Sequence, residues 1–169
     1  MARKSGTLEV ATAADVAAIV ELRNAVAKRL TRDFGKGHWS SQSSERGVRY
    51  DLRTSKVFVM RGRTRIVATL RLATKKPWAI DASYFTPCRR PLYLTGMAVA
   101  PARQRKGVGR RCLEEAERIA RAWPAGAIRL DAYDADAGAG GFYASCGYTE
   151  VGRAVYRGAP LIYFERVLR

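Results

Sequence analysis

The segment Gln104–Gly109, with the sequence QRKGVG, decides the fold of this chain because it joins a strand-like run to a helix-like one. Before it, Leu92–Val99 is typical of a strand, and Pro101 ends that strand. After it, apolar residues recur at helical spacing from Val108 to Trp123. A strand, a glycine-containing turn and a helix in this order predict an α/β layered domain.

The part of the chain before this segment predicts a strand, two helices and a hairpin. Thr12, with Asp15 three residues later, is typical of a helix start, and apolar residues then recur at helical spacing. The polar, glycine-containing segment that follows is predicted to be a loop. The predicted elements are a strand at 8–10, a helix at 16–30, a loop at 31–44, a second helix at 45–52, and strands at 56–60 and 66–72.

The part of the chain after this segment completes the order β-α-(α)-β-β-β-α-β-α-β-β. Pro124 and Gly126 end the long helix. Antiparallel hairpins and helical crossovers to parallel strands both occur in this order, so the sheet is predicted to be mixed. The remaining predicted elements are a strand at 127–131, a short helix at 137–145, and strands at 148–156 and 161–168.

Length and composition indicate one compact domain over residues 1–169, since 47% of the 169 residues are hydrophobic. The three cysteines form no CxxC pair, so we expect neither a disulfide framework nor a metal site. No apolar run of signal-peptide or membrane-span length is present, so we expect a cytoplasmic protein with no membrane partner.

The formal net charge of +16 favours anionic ligands. Most arginines are scattered, and only Arg61–Arg65 and Arg103–Arg111 form compact clusters. This distribution favours a solvated basic surface over a dedicated nucleic-acid groove. A nucleic-acid-binding module is therefore the less favoured alternative.

The glycine segment has the features of a phosphate-binding loop. Backbone N–H groups at a helix start point towards an anion, and glycine allows close approach. A Walker loop requires Lys-Ser/Thr, whereas Arg110 and Arg111 follow Gly109 here. A dinucleotide-binding loop requires a third glycine where Cys112 stands. A pyrophosphate remains the best-matched ligand, and a turn that binds nothing is the alternative.

The segment resembles the pyrophosphate loop of the GNAT superfamily of N-acetyltransferases, Gln/Arg-x-x-Gly-x-Gly/Ala, through Gln104, Gly107 and Gly109. Gly141–Tyr148 is similar to the second signature of that family, a tyrosine followed by glycine and an aromatic residue. The resemblance implies a mixed, mostly antiparallel central sheet flanked by helices. It also implies acetyl-CoA as the acyl donor and direct attack of a primary amine on its thioester.

On the donor side, the resemblance implies that the strand before the loop binds the pantetheine arm and that the loop amides bind the pyrophosphate. Asp136 stands where the family often has Asn, and it could instead be the N-cap of the short helix. The cofactor-binding residues that the resemblance implies are Met97, Ala98, Val99, Gln104, Arg105, Lys106, Gly107, Val108, Gly109, Arg110, Asp136 and Phe142.

For the proton transfers, the resemblance implies that Tyr143 protonates the departing thiolate, although a packing role beside Phe142 is the alternative. Many relatives place a glutamate on the fourth strand as general base, and this chain has none there. The candidates are Asp81, Asp131, Asp134 and His38, each of which could instead be a turn cap, a surface carboxylate or a packed loop residue. Deprotonation through water is a further alternative.

The acceptor side is predicted only in outline. Aromatic residues in two segments that border the acceptor pocket in this family would suit a partly apolar amine, or they could cover the sheet as core. The acceptor is expected to be a small-molecule or peptide amine, and the chain could form a homodimer. A non-catalytic regulator that binds coenzyme A is the second alternative to the enzyme. The candidate pocket residues are His38, Trp39, Trp78, Tyr84 and Tyr93.

Overall fold

The computed structural model describes residues 6–169, and its elements follow the predicted order. The helices are α1 (Val16–Phe34), α2 (Glu45–Thr54), α3 (Val108–Ala122) and α4 (Gly140–Ser145). The strands are β1 (Leu8–Val10), β2 (Lys56–Arg61), β3 (Ile66–Ala73), β4 (Leu92–Val99), β5 (Ala127–Tyr133), β6 (Thr149–Tyr156) and β7 (Ala159–Val167).

The seven strands form one sheet in the order β1-β2-β3-β4-β5-β7-β6. β1 with β2, β2 with β3, β5 with β7 and β6 with β7 pair antiparallel. β4 and β5 pair parallel, with Leu92 opposite Ile128 and Tyr93 opposite Arg129. The predicted mixed, mostly antiparallel sheet flanked by helices is confirmed.

The chain divides into two compact units. The first unit contains the segment that ends at Leu72, together with Gly96–Ala116. Alternating apolar residues of β2 pack against α1 and α2 because both helices present an apolar face to the sheet. This core consists of Ala11, Val16, Ile19, Val48, Val57 and Val59.

The second unit contains Ala73–Thr95 and Glu117–Arg169. Its core is more aromatic, because the long connection before β4 contributes Ile80 and Phe85 to the face of β7. The buried side chains of this core are Ile80, Phe85, Tyr93, Ala159, Leu161 and Tyr163.

Helix α1 is longer than predicted, since it continues to Phe34 through residues that were expected to form a loop. The Thr31 hydroxyl donates a hydrogen bond to the Ala27 carbonyl at 2.8 Å, which satisfies this polar side chain within the helix. Arg29 pairs with Asp33 one turn later at 2.9 Å. Gly35 ends the helix at φ +80°.

The first arginine of the basic segment between β2 and β3 has a structural role. Arg61 pairs with Asp15 at 2.9 and 3.0 Å and with Glu9 at 2.8 Å. The hydrogen bonds from Arg61 are the main reason that the pKa of Asp15 lies below its ordinary value. Part of one basic cluster therefore joins the strands to the start of α1.

Candidate functional site

The loop Gln104–Gly109 is an exposed turn that leads directly into α3. Arg105 and Gly107 both adopt positive φ angles, +58° and +82°. A Cβ atom built on Gly107 would have no other atom within 4 Å, so the space in front of this backbone is open. Glycine here combines the left-handed conformation with close access to the backbone.

Two hydrogen bonds hold the loop between the strand and the helix. The Gln104 side-chain amide donates to the Val99 carbonyl at 3.0 Å, which ties the loop to the end of β4. The Arg111 N–H donates to the Gly107 carbonyl at 3.0 Å, as the first turn of α3 begins. The amides of Val108 and Gly109 precede that bond, so the helix itself does not use them. They lie at the positive end of the helix dipole.

The cations around the loop divide into paired and unpaired ones. Arg111 is occupied, because it donates to the Gly6 carbonyl at 2.9 Å and pairs with Glu114 and Glu115 at 3.4 and 3.6 Å. Arg105 and Lys106 are exposed and have no ion-pair partner among residues 6–169. Open amides and unpaired cations together suit a doubly charged pyrophosphate.

The strand that precedes the loop contains Met97, Ala98 and Val99, of which Ala98 is buried and the other two are half-buried. Gly96 interrupts β4 with φ +60° and is itself exposed. A β-strand with one residue at positive φ changes direction locally, as a bulge does. Sequence reasoning had assigned no role to Gly96.

In the second unit, Tyr143 lies on α4 with 7% of its surface exposed. Its ring packs among Phe142, Tyr148 and Phe164, at centroid distances of 5.3, 5.9 and 6.0 Å. Burial, and then the charge of Asp131, raise the pKa of Tyr143 above its ordinary value. The phenol therefore keeps its proton at neutral pH, which is the state that a general acid requires.

Asp131 is half-buried on β5 and differs from the other candidate bases. Burial raises the pKa of this carboxyl above its ordinary value of 3.8. After burial, the charge of Asp131 is the next cause of the raised pKa of Tyr133 and Tyr143. A carboxylate with a raised pKa is a stronger base.

The other candidates are less suitable as bases. Asp81 accepts hydrogen bonds from the Ser83 hydroxyl and amide at 2.7 and 3.0 Å, and these bonds lower the pKa of Asp81. Asp134 pairs with Arg153 at 3.2 Å. His38 lies on an exposed turn after α1.

Asp136 is exposed in the loop before α4, and it is not the N-cap of that helix. Because α4 begins at Gly140, later than predicted, Ala139 takes the N-cap position. Asp136, Gly138 and Gly141 line a cavity of about 510 Å³ within the second unit, together with the surface residues Glu150 and Arg153. The capping alternative for Asp136 is therefore wrong.

The predicted acceptor aromatics belong to different units. His38 and Trp39 are in the first unit, where the Trp39 ring donates to the Gly35 carbonyl at 2.9 Å. In the second unit, Trp78 is 85% exposed, Tyr84 is 42% exposed and Tyr93 is buried. Tyr93 is thus a core residue, which agrees with the alternative that these aromatics cover the sheet, whereas Trp78 is not.

Buried charges fix the long aromatic connection to the second unit, and sequence reasoning missed them. Glu165 accepts hydrogen bonds from the backbone and side chain of Thr86. Arg129 donates to the Thr86 carbonyl at 2.8 Å and to the Tyr93 hydroxyl at 3.2 Å, and it lies 5.1 Å from the centre of the Phe85 ring. A charged residue within each of two apolar strands was the available signal.

The family profile described as "Acetyltransferase (GNAT) family" matches residues 22–148, which is more than half of the chain. The chain belongs to this acetyltransferase family. The match contains both the loop Gln104–Gly109 and Tyr143. Comparison with curated proteins finds no match.

Solved structures share the fold at low sequence identity. The protein smu.2055 from Streptococcus mutans UA159 is 17% identical, with a TM-score of 0.73 over 96% of this chain and 99% of that chain. YncA, a putative acetyltransferase from Salmonella typhimurium with its cofactor acetyl-CoA, is 20% identical, with a TM-score of 0.68 over 96% and 94%. A ribosomal-protein-alanine N-acetyltransferase from Brucella melitensis is 19% identical, with a TM-score of 0.72 over 95% and 99%.

GNAT acetyltransferases use acetyl-CoA, and the loop of this family member fits the pyrophosphate of that cofactor. The open space at Gly107 is the observation that supports the fit, because a glycine there leaves the backbone accessible for close approach of a phosphate. Within residues 6–169, no helix of this GNAT protein is long and apolar enough to cross a membrane.

Proposed function

We propose that this GNAT protein transfers the acetyl group of acetyl-CoA to a primary amine, which attacks the thioester directly. The open, positively charged loop at the start of α3 is the observation that carries the proposal. Acetyl-CoA would supply the activated acyl group. The backbone of Met97, Ala98 and Val99 would align the pantetheine arm, and the amides of residues 105–110 would bind the pyrophosphate.

We assign Asp131 as the group that removes the proton from the attacking amine. An amine is mostly protonated at neutral pH, so a base must act before attack. Burial raises the pKa of Asp131, which has no ion-pair partner in the part of the chain that the structure describes, whereas hydrogen bonds from Ser83 lower the pKa of Asp81 and Arg153 pairs with Asp134. The half-buried position of Asp131 supports this role over a purely surface one.

Tyr143 would then protonate the departing thiolate. Its raised pKa keeps the proton on the phenol but also makes the phenol a weaker acid. When Asp131 accepts a proton, its negative charge disappears, and one cause of the raised pKa of Tyr143 disappears with it. Deprotonation of the amine would therefore make Tyr143 a better acid when the thiolate leaves.

Release of free thiol from acetyl-CoA over a panel of primary amines tests this function. The expected result is amine-dependent thiol release, with the acetylated amine detected by mass spectrometry. Acetyl-CoA without amine is the control for simple hydrolysis. Saturable binding of acetyl-CoA without turnover of any amine would contradict the proposal and favour a coenzyme A-binding regulator. Salt-sensitive nucleic-acid binding without acetyl-CoA binding would favour the nucleic-acid alternative.

A further inference from the structure

A cluster in the first unit contains two guanidinium groups and only one carboxylate. Arg23 of α1 pairs with Asp51 of α2 at 3.0 Å, and Arg71 of β3 pairs with the other oxygen of Asp51 at 3.2 Å. The side chains of Arg23 and Asp51 are each 14% exposed, and that of Arg71 is 24% exposed. The cluster therefore holds one excess positive charge away from bulk water, where such a charge requires an anion.

The excess charge is concentrated on one edge of Arg23. Its Nη1 atom contacts Asp51, whereas Nε and Nη2 are buried and have no hydrogen-bond partner among residues 6–169. Arg71 uses its own Nε to donate to the Ser55 hydroxyl at 3.1 Å. Nε and Nη2 of one guanidinium form a planar pair of donors that matches the two oxygens of a carboxylate. Buried donors of this kind are rarely left unsatisfied in a folded protein.

This edge lies against the strand that we assign to the pantetheine arm. A Cβ atom built on Gly96 would be 3.1 Å from Nη2 of Arg23 and 3.4 Å from Cδ of Arg71. Gly96 is exposed and stands directly before Met97 in β4. Because Gly96 has no side chain, its exposed backbone lies close to Nη2 of Arg23, and binding at the buried edge would require rotation of the Arg23 side chain.

We propose that Arg23 binds a carboxylate of the acceptor, so that the acceptor is an amine that also carries a carboxylate, such as an amino acid. This inference rests on the proposed function and specifies its substrate class. Gly96 directly precedes Met97, so a carboxylate held beside Gly96 would lie next to the segment of β4 that we assign to the pantetheine arm. The excess positive charge would also disfavour polycationic acceptors.

The test compares acceptors that carry a carboxylate with acceptors that lack it. Amino acids are paired with their carboxamides, and 4-aminobutanoate is paired with butylamine, whose amine has a similar basicity. The ratio of kcat/KM within each pair is measured for the wild type, Arg23→Met and Arg23→Lys. Arg29→Met is the matched control, because Arg29 lies on the same helix and forms an exposed ion pair with Asp33.

We expect the wild type and Arg29→Met to prefer the carboxylate by about ten- to hundredfold, as for charge-assisted bidentate hydrogen bonds. Arg23→Met should lose this preference, mainly through KM, and Arg23→Lys should retain part of it because the charge remains. Thermal shifts should also show stabilisation of the wild type, but not of Arg23→Met, by the amino acids alone.

The outcomes separate this inference from the proposed function. Turnover of the acceptors that lack a carboxylate as efficiently as their carboxylate partners, or an unchanged ratio in Arg23→Met, would overturn the inference and leave the acetyltransferase function standing. No turnover of any amine would overturn the proposed function. In that case, the inference is tested by binding alone. If amino acids shift the unfolding temperature of the wild type and of Arg23→Met equally, carboxylate binding by Arg23 is overturned as well.

Discussion

The loop Gln104–Gly109 and the helix that contains Tyr143 differ in what surrounds their functional groups. The loop is exposed and presents backbone amides and unpaired cations to water. Tyr143 is buried among aromatic rings, where desolvation raises its pKa. Binding of the anionic donor should therefore depend on backbone conformation and charge, whereas proton transfer should depend on single side chains in a dry environment.

The largest expected effect is on the rate of turnover, through the buried residue Tyr143. Tyr143→Phe should lower kcat by about a hundredfold, which is typical for loss of a general acid, and should leave the dissociation constant of acetyl-CoA unchanged. Steady-state kinetics and calorimetry measure the two quantities. The matched control is Tyr148→Phe, because the hydroxyl of Tyr148 is also buried but has no hydrogen-bond partner within the described part of the chain.

An equal loss of kcat in both tyrosine variants would show that the aromatic packing, and not the phenol of Tyr143, controls the rate. A weaker affinity for acetyl-CoA in Tyr143→Phe alone would remove the division between binding and chemistry.

The next effect concerns the scaffold of the second unit. Glu165→Gln should lower the free energy of unfolding by roughly 1–3 kcal/mol, because the buried carboxylate accepts two hydrogen bonds from Thr86 and the amide replaces them with weaker ones. Chemical denaturation measures this change. Glu150→Gln is the control, since Glu150 pairs with Arg153 on the surface, and we expect no measurable change there. Equal effects would contradict an anchoring role for Glu165.

A smaller effect on the free energy of unfolding, of opposite sign, is expected from substitution of Asp131. Its folded-state pKa lies above the ordinary value of 3.8, so the stability that it contributes is present below that value and is lost as the pH rises. Asp131→Asn cannot ionise, so it should be more stable than the wild type at pH 7 and equally stable near pH 3. Thermal unfolding at pH 7 and near pH 3 measures this difference. Asp134→Asn is the control, because Asp134 forms an ion pair with Arg153. Lower stability of Asp131→Asn at pH 7 would contradict the raised pKa.

The same two regions show what a sequence can predict. The exposed turn before α3 was predictable because it consists of six consecutive residues, and its glycine spacing is visible in the chain. The order of the elements along the chain was predictable because alternating apolar runs and turn residues are local signals, whereas the order of the strands in the sheet follows only from their pairing. The family signature also led to Tyr143, but its burial and its interaction with Asp131 follow only from packing.

The cluster of Arg23, Asp51 and Arg71 could not be predicted, because its members come from three separate elements and each has the ordinary appearance of a surface charge. The end of α1 was missed for a different reason. Thr31, Arg32 and Asp33 have polar side chains that suit loops, but hydrogen bonds and ion pairs along the helix satisfy them. The single-domain organisation over residues 1–169 stays a prediction.

The most direct test of the central claim is calorimetric titration of acetyl-CoA into the wild type, Gly107→Ala and Gly158→Ala. Gly107 has a φ of +82° and Gly158 a φ of +80°, and a Cβ atom on either residue would have no other atom within 4 Å. The two substitutions therefore impose the same backbone strain. We predict saturable binding to the wild type and to Gly158→Ala, and binding weaker by about tenfold or more for Gly107→Ala, in which the methyl group obstructs the phosphate. Absence of binding to the wild type, or equal affinities in all three proteins, would contradict the account.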